Sequence, residues 1–534
     1  MSEIKSGELS SGLFVRTSSG LVRSVSTFDT FYYCLVQLAI TFAFFPIAYW
    51  VFYPGAQMEI AGIIALVIAI LEGVTYGLFT SVYPRSGGEY VPLSRATHPF
   101  IGFVASFSNT FWQIFFTGTI AQFAVSFGVA PLFGVLGLQT GIQALTDLGA
   151  WFGTPPGWFV FGIFILAFFA YQLYRGMGYY FRLQKWLFTI GLVLYIIFLI
   201  VLLLGATGVF SFEASYDKYF GAGAYQSLIT SAEADGVDLN PPMDWKMTIF
   251  FTIWPAWSFF FAVLSTAFSG EIKNVKRGQL IAIPLAQVVG GLIFIATGLF
   301  ARYAITKEGL LTIGWVSTVT PEKFPLPYPW ISTIGSVMAD NPLLTIIISL
   351  SALIMTTYVG ASTAIYGTRG MLAWGIDGMA PAWLAKVNEK YRSPQNAILV
   401  TFVLAAVVLA VYSFTDWIRF LQGMAGMGLV FTVTTLAAAL FPFYKREVYK
   451  ASPAKIEFAG IPLMTLFGIP GSLGLGYVTY RVIVDADYGA NSPISMAMFV
   501  AVILGGAIWY FVARAVRKSQ GIDMDARFEE IPVE

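Results

Sequence analysis

The sequence predicts an all-α integral membrane protein with about twelve transmembrane helices. Of its 534 residues, 57% are hydrophobic and only 11% are charged, whereas a soluble domain carries about 25% charged residues. Apolar segments of about 20 residues, the length that crosses a bilayer as a helix, recur along the whole chain. Lys and Arg collect in alternate connections between these segments, as they do in multi-pass proteins. These three observations indicate that lipid surrounds most of the chain.

Twelve segments have the length and composition of a spanning helix. They lie at 30–52, 57–82, 100–128, 157–174, 186–208, 247–269, 279–304, 341–366, 395–414, 416–443, 458–484 and 493–514. The boundary between the ninth and tenth segments is the least sharply defined, because Asp416 and Arg419 lie close to it.

The distribution of Lys and Arg predicts which side of the membrane each connection faces. Most of the 30 cationic residues fall on the side of the N-terminus, and such an excess is typical of cytoplasmic connections. We therefore expect a cell-membrane protein with both termini in the cytoplasm. The Ser-rich residues 1–27 have no short apolar core of the kind found in a signal peptide, which favours a cytoplasmic tail.

The spans divide into two groups of five and a final pair. Because five is odd, the second group should lie upside down relative to the first. We expect a cytoplasmic tail, a first inverted repeat, an extracellular loop, a second inverted repeat, a final helix pair and a second cytoplasmic tail. Their predicted boundaries are 1–27, 28–208, 209–246, 247–443, 456–514 and 515–534. The acidic loop and the Pro-rich and aromatic-rich residues 306–340 are expected to be solvated caps on the outer face.

Composition and motifs exclude several classes of protein. A net charge of +1 leaves no basic field for nucleic acid. Cys34 is the one cysteine and His98 the one histidine, so an intrachain disulfide, a histidine metal site and haem ligation are not expected. The sequence contains no Gly-Lys-Ser/Thr phosphate loop and no His-Glu-x-x-His helix. We therefore expect neither an enzyme nor a bound metal or cofactor.

The first span of each group of five contains a proline. The surrounding residues are Phe44-Phe45-Pro46 in one and Trp254-Pro255-Ala256-Trp257 in the other. Proline frees backbone carbonyls, and unpaired backbone at membrane depth survives only where it lines a cavity. Matched interruptions in two halves indicate a binding site near the middle of the membrane. An ordinary kink is the alternative explanation for either proline taken singly.

Three motifs after the second, sixth and eighth spans carry a family resemblance. They are PRSGGEY at 84–90, GEIKNVKRGQ at 270–279 and RGMLAWGIDGMAPAWLAKVNEKYRSP at 369–394. With these three motifs in this order, the chain resembles prokaryotic-type amino acid permeases of the amino acid–polyamine–organocation (APC) superfamily. The resemblance implies a LeuT-like fold, a five-plus-five inverted repeat with discontinuous helices 1 and 6 that hold the substrate between them.

The chain departs from that family in three places. The first helix reads LAITFAFFP at 38–46, where amino acid carriers usually have a glycine-rich turn. Phe261-Ala262 occupies the usual Gly-Phe position of helix 6. The run at 188–192 offers no counterpart of the lysine found in helix 5 of many proton-coupled members. An α-amino acid substrate is thus implied by the resemblance alone.

Polar and aromatic side chains near the two prolines are the candidates for substrate contact. Aromatic side chains could close over a substrate, although packing is the alternative for each, and polar ones could instead form interhelical hydrogen bonds. The candidates are Gln37, Thr41, Phe44, Phe45, Pro46, Asn109, Trp254, Trp257, Ser258, Phe259 and Phe261.

Two acidic residues are candidates for coupling and gating. Glu72 lies within the second span, where an ionisable group is costly and marks function by default. Burial favours its neutral form, which suits proton exchange, although a neutral acid that bonds to a neighbouring helix would look the same. Glu271 ends the sixth span beside several cations and could pair with a loop cation as an inner gate, although a structural role is the alternative.

Four hydroxyl residues of the eighth span are candidates for a sodium site, since sodium-coupled relatives of this fold use helix-8 oxygens. Hydrogen bonds to their own helix backbone are the alternative. The four are Thr356, Thr357, Ser362 and Thr363.

The sequence as a whole predicts a secondary active transporter that moves amino acids or related small amines by alternating access. Its expected partners are that solute, a coupling proton and the lipid bilayer, with sodium as the less favoured ion, and its oligomeric state stays open. The alternatives are the same fold with another small solute, sodium coupling, and a non-transporting solute sensor or membrane subunit. An ion channel is disfavoured because no filter-like loop or charged ring is present.

Overall fold

The computed structural model describes residues 20–417, 422–486 and 490–529. Residues 1–19 of the expected N-terminal tail, residues 530–534 of the expected C-terminal tail, and Arg419 lie outside the described residues.

The protein is an all-helical, multi-pass membrane protein with twelve long helices. In chain order they are α1 (Thr27–Phe52), α2 (Met58–Val82), α3 (Pro99–Thr140), α4 (Pro155–Tyr174), α5 (Met177–Ala206), α6 (Trp245–Glu271), α7 (Val275–Ile305), α8 (Pro342–Asp377), α9 (Gln395–Phe414), α10 (Gly423–Tyr444), α11 (Leu463–Val484) and α12 (Pro493–Ser519).

Eleven of these helices are long and apolar enough to cross a membrane, compared with the expected twelve. The helix outside this group is α11, which has 22 residues but carries several glycines, hydroxyl residues and Arg481. It packs against α2 and α10. The length of α11 is therefore sufficient to cross a membrane. Its glycines and polar residues are suited to packing against other helices.

Two helices extend more than ten residues beyond their predicted C-terminal ends. Helix α3 continues to Thr140 through a π-helical turn at Val125–Val129. Helix α8 continues to Asp377, eleven residues beyond the predicted end at residue 366. The charge of Arg369, which suggested a loop, is buried in α8 and neutralised by Glu271.

Helix α1 is interrupted at Leu38–Ala39 and not at Pro46, where the sequence suggested it. An α-helix from Thr27 to Gln37 ends there, and Ala39 adopts a left-handed conformation with φ +46°. The chain resumes as a 3₁₀ turn at Ile40–Ala43 and an α-helix at Phe44–Tyr49. Pro46 is the third residue of that last helix, in the first turn, where a missing N–H costs little.

In helix α6 the break lies at the C-terminal end of the zone 254–262 in which the sequence predicts it. Pro255 is the third residue of a regular helix, Ile253–Phe260, so residues 254–257 are not the interruption. The change comes after this helix, where Phe261–Glu271 winds as a 3₁₀ helix with a non-helical Phe268. The irregular backbone of α6 therefore lies on the C-terminal side of its proline.

The connections contain more structure than expected. The loop at 209–246 carries two short helices, Phe212–Phe220 and Ala224–Ala234. Residues 306–340 form Lys307–Val319 and Ile331–Ala339, and every residue of the latter is buried. These segments therefore pack as part of the protein, and the expectation of solvated caps is wrong for residues 331–339.

The remaining short elements complete the described chain. They are the helices Tyr90–Ala96, Gln143–Phe152, Arg446–Ala451 and Met524–Glu529, the 3₁₀ turns Pro321–Lys323 and Ala382–Ala385, and a hairpin of Glu457–Phe458 with Ile461–Pro462.

The described ends of the chain meet on one face, which we call the terminal face. Val25 exchanges backbone hydrogen bonds with Glu271 and Lys273 at the end of α6. At the other end of the chain, Arg527 donates to the carbonyl of Asp377 at the end of α8. The opposite side, which carries residues 209–246 and 331–339, is the loop face.

Candidate functional site

The breaks in α1 and α6 bring two helix ends of opposite polarity together. The short helical turn after Ala39 begins with N–H groups that have no partner within their own helix. The α-helical part of α6 ends at Phe260 and continues directly as a 3₁₀ helix, and the Phe259 carbonyl accepts a hydrogen bond from the Gln287 amide. Such ends carry partial positive and negative charge respectively. In transporters with broken helices, ends of this kind lie at the substrate site.

Five aromatic side chains, which we call the aromatic cluster, line the contact between these two segments. Phe42 and Trp257 have ring centroids 5.3 Å apart, and Phe45 lies 5.9 Å from Trp257. Phe116 of α3 lies 6.1 Å from Trp257 and 5.9 Å from Phe261. All five side chains are buried. The surroundings of the helix ends are thus strongly apolar.

Three candidate residues lie beside this cluster without belonging to it. Trp254 stacks on Tyr49, with centroids 5.1 Å apart, toward the loop face. Ser258 is buried one position beyond Trp257, and Pro46 lies one position beyond Phe45.

Two of the aromatic candidates face other helices. Phe44 packs against Phe127 and Phe198, with centroids 5.0 and 6.4 Å away. Phe259 packs against Phe294 of α7, 5.1 Å away. These contacts favour the packing explanation for both residues.

Hydroxyl groups join α1 to α8 close to the break. The Oγ1 atoms of Thr41 and Thr356 are 2.8 Å apart. One turn before the break, Gln37 donates to the Tyr33 hydroxyl, which donates to the carbonyl of Ser362. Thr41 and Gln37 therefore lie on either side of Ala39, as expected for groups that could reach a bound solute.

The other candidate sodium ligands bond to their own helix. Thr357, Ser362 and Thr363 donate to the carbonyls of residues 353, 359 and 360. Thr363 also lies 2.9 Å from the hydroxyl of Thr117 in α3. Of the four, only Thr356 has a side chain that hydrogen-bonds to α1 among the described contacts, and Ser362 is joined to α1 through its backbone carbonyl instead.

A buried ion pair lies at the terminal face, where it joins α6 to α8. Glu271 accepts two hydrogen bonds from the Arg369 guanidinium, at 3.0 and 3.3 Å. Both side chains are at most 3% exposed. The sequence suggested a loop cation as the partner, and the actual partner, expected just after the eighth span, lies within the last turns of α8. This pair therefore links the end of α6 to the C-terminal part of α8.

The one cysteine of the chain lies at the contact between α1 and α6. Cys34 is fully buried in the first segment of α1, and its side chain contacts that of Ser265 in the 3₁₀ part of α6. It thus sits between the aromatic cluster and the ion pair.

Glu72 is completely buried in α2, and within the described chain neither carboxylate oxygen has a hydrogen-bond partner. Asn109 lies elsewhere, toward the terminal face, where its amide donates to Glu89 at 3.1 Å. Asn109 therefore belongs to a polar group at the base of α2 and α3, away from the aromatic cluster.

Sequence reasoning missed Phe42, Phe116, Glu89 and Arg369 as candidate site residues. Glu89 stands in the PRSGGEY motif, and Arg369 opens the third motif, so both were visible as parts of a signature. Phe42 and Phe116 had no signal beyond a generally aromatic composition.

Comparison with known proteins identifies the family of the chain. The sequence model of the amino acid permease family matches residues 25–508. The branched-chain amino acid permease BcaP of Lactococcus lactis subsp. cremoris is 20% identical over 79% of this chain and 82% of its own length. The methylthioribose transporter of Bacillus subtilis is 23% identical over 40% of this chain, and the match covers 43% of that protein. Because the family model covers nearly all of the chain, the protein belongs to the amino acid permease family of the APC superfamily and is a transporter, not an enzyme.

Proposed function

We propose that the protein is a secondary active transporter that moves amino acids across the cell membrane by alternating access. The observation that carries the proposal is the meeting of two oppositely polarised helix ends, at Ala39 and Phe261, beside the aromatic cluster. Five-plus-five inverted repeats, at 28–208 and 247–443, would place these breaks in equivalent helices. Both termini would then face the cytoplasm.

The helix ends suit the two charged groups of an amino acid. The N–H groups that follow Ala39 would hold the carboxylate, and the carbonyl groups near Phe260 would hold the ammonium group. Related small amines would use the second half of this site alone. Thr41 and Gln37 would add hydrogen bonds from the α1 side.

The aromatic cluster favours an apolar side chain on the substrate. A small cavity of about 30 Å³ extends from Trp257 and Phe261 toward α10, where Met424, Met427 and Phe431 line it. Thioether and aromatic surfaces adapt to irregular apolar groups. The substrate class in the name of BcaP, branched-chain amino acids, agrees with such a lining.

The ion-binding groups favour a proton over sodium. Glu72 is a buried carboxyl group without a hydrogen-bond partner in the described chain, which suits a group that takes up and releases a proton. Three of the four candidate sodium ligands are already bonded to carbonyls of α8. We therefore infer proton symport, with the Glu271–Arg369 pair as the gate of the terminal face.

Transport by purified protein in liposomes tests this function. We expect leucine, isoleucine or valine to accumulate under an inward proton gradient, and not under a sodium gradient alone. Accumulation under sodium alone would reverse the ion assignment. Ligand binding without accumulation under either gradient would contradict transport and favour a sensor or membrane subunit. Accumulation of a solute without the amino acid groups would contradict the proposed substrate class.

A further inference from the structure

A second buried carboxyl group lies at the base of α2. Glu89 precedes the short helix Tyr90–Ala96, which follows α2 after a turn, and it is 2% exposed. The turn before Glu89 approaches α8 closely. This is possible because Gly87 and Gly88 adopt φ values of +115° and +65°, which other residues rarely reach. A Cβ on Gly88 would collide with the Tyr366 ring of α8, so this carboxyl group is held tightly against α8.

Glu89 is held by neutral donors. The Asn109 amide donates to its Oε1 at 3.1 Å, and the Gln113 amide donates in turn to Asn109 at 3.1 Å. Burial raises the pKa of Glu89 to about 7, and hydrogen bonding from Tyr366 and Asn109 opposes part of that rise. The carboxyl group therefore titrates near neutral pH, protonated below that value and ionised above it.

The buried cations of this face are engaged with other carboxylates. Arg369 pairs with Glu271 at 3.0 Å, and Arg95 pairs with Asp377 at 2.8 Å. The groups that act on Glu89 are thus the hydroxyl of Tyr366 and the amide of Asn109. A carboxylate with this environment gains a proton more readily than one in an ion pair.

Tyr76 lies between the two carboxyl groups. It follows Glu72 by one helical turn, so both side chains are on the same face of α2. Its buried hydroxyl is close enough to interact electrostatically with both Glu72 and Glu89, and it also faces Thr434 of α10. The three groups thus run in sequence from the middle of α2 to its base.

We propose that Glu89 is a second proton-carrying group and that Glu72, Tyr76 and Glu89 form the route of the coupled proton toward the terminal face. Both Glu72 carboxyl oxygens and the Tyr76 hydroxyl lack a hydrogen-bond partner in the described structure, so the transfer requires these side chains to rotate into contact. Glu72 then gives its proton to the Tyr76 hydroxyl, which gives its own proton to the Glu89 carboxylate. Tyr76 ends neutral, Glu72 becomes a carboxylate and Glu89 becomes an acid. This inference rests on the proposed proton symport and assigns the path within it.

The first test compares two modes of transport by Glu89→Gln in liposomes. Exchange of radiolabelled leucine at equal pH on both sides needs no net proton movement, so it should continue. Accumulation under an inward gradient of one pH unit should fall from about tenfold toward unity, because one unit corresponds to about tenfold for one coupled proton. Tyr76→Phe should act in the same direction. Glu59→Gln, an acid at the loop-face end of the same helix paired with Arg302, is the control.

A spectroscopic measurement separates failure of the path from failure of the function. Infrared spectra of the wild type should show a protonated carboxyl band that disappears around pH 7, and Glu89→Gln should lack it. A wild type that accumulates no amino acid would contradict the proposed function, while the band would still support Glu89 as the titrating group. Proton-driven accumulation by Glu89→Gln equal to that of the wild type, or an unchanged band in the variant, would overturn the path.

Discussion

At the scale of single residues, Ala39 has the most unusual conformation in the candidate site. Its φ of +46° places a non-glycine residue in the left-handed region, in the middle of a membrane helix. A Cβ in this region costs about 1–2 kcal/mol. Amino acid carriers of the resembled family usually have a glycine-rich turn at this position, whereas this protein forms the turn with alanine. The break is therefore present without the residue that usually indicates it.

Replacement of Ala39 by glycine should stabilise the protein by up to about 1 kcal/mol, because it removes the strain of the left-handed conformation. The measurement is thermal unfolding in detergent. Ala43→Gly is the matched control, because Ala43 has an ordinary right-handed conformation and its replacement should destabilise by up to about 1 kcal/mol. Equal effects of the two changes would contradict the strained hinge.

At the scale of helices, the sequence predicted that a helix is present far better than it predicted where that helix is irregular. Apolar segments of sufficient length located all twelve helices, since lipid leaves the backbone few other structures. The break in α1 was misplaced because Leu38 and Ala39 are good helix formers, whereas Pro46 lies in a first turn, where proline is tolerated. The break in α6 falls within the predicted zone 254–262, at its C-terminal end and not at Pro255. Backbone conformation there depends on contacts with other helices, and local composition does not report those contacts.

The candidate site was predictable in part for the same reason. Thr41, Phe45, Trp257 and Phe261 were found because they lie close in sequence to the prolines. Phe116 comes from α3, and its approach to Phe261 depends on how the helices pack. The partner of Glu271 was missed because a buried arginine within a helix resembles a loop cation until its neutralising partner is known.

The Glu271–Arg369 pair leads to a prediction about the contact between α6 and α8. Arg369→Met leaves a buried carboxylate without its partner, and such a loss costs about 3–5 kcal/mol. Glu271→Gln combined with Arg369→Met should recover most of this stability, because no isolated charge remains. Thermal unfolding of the two single variants and the double variant gives the coupling energy. Additive effects would show that the pair does not act as a unit.

At the scale of the whole molecule, the C-terminal segment ties distant parts of the chain together. Phe528 of the short helix Met524–Glu529 is buried, and the Arg95 guanidinium lies 5.1 Å from its ring centroid. Arg517 at the end of α12 donates to the carbonyls of Gly378 and Ala380. The segment therefore holds α12, the end of α8 and the helix after α2 in one arrangement.

Phe528→Ala should lower the free energy of unfolding by about 3 kcal/mol, since it removes a buried aromatic ring. It should also raise proteolysis of the C-terminal segment, which mass spectrometry of the cleaved protein would detect. Phe458→Ala is the control, because Phe458 is 68% exposed and its loss should have little effect. Equal proteolysis of the two variants would contradict a docked C-terminal segment.

The position of Cys34 gives the protein a built-in chemical reporter. The thiol is shielded on one side by Ser265 and lies behind the Glu271–Arg369 pair, so a maleimide can reach it only when the terminal face opens. Since the chain has no other cysteine, the rate of alkylation of the wild-type protein measures that opening without any engineered label. Substrates that stabilise the state open at the terminal face would raise the alkylation rate, and substrates that stabilise the state closed at that face would lower it.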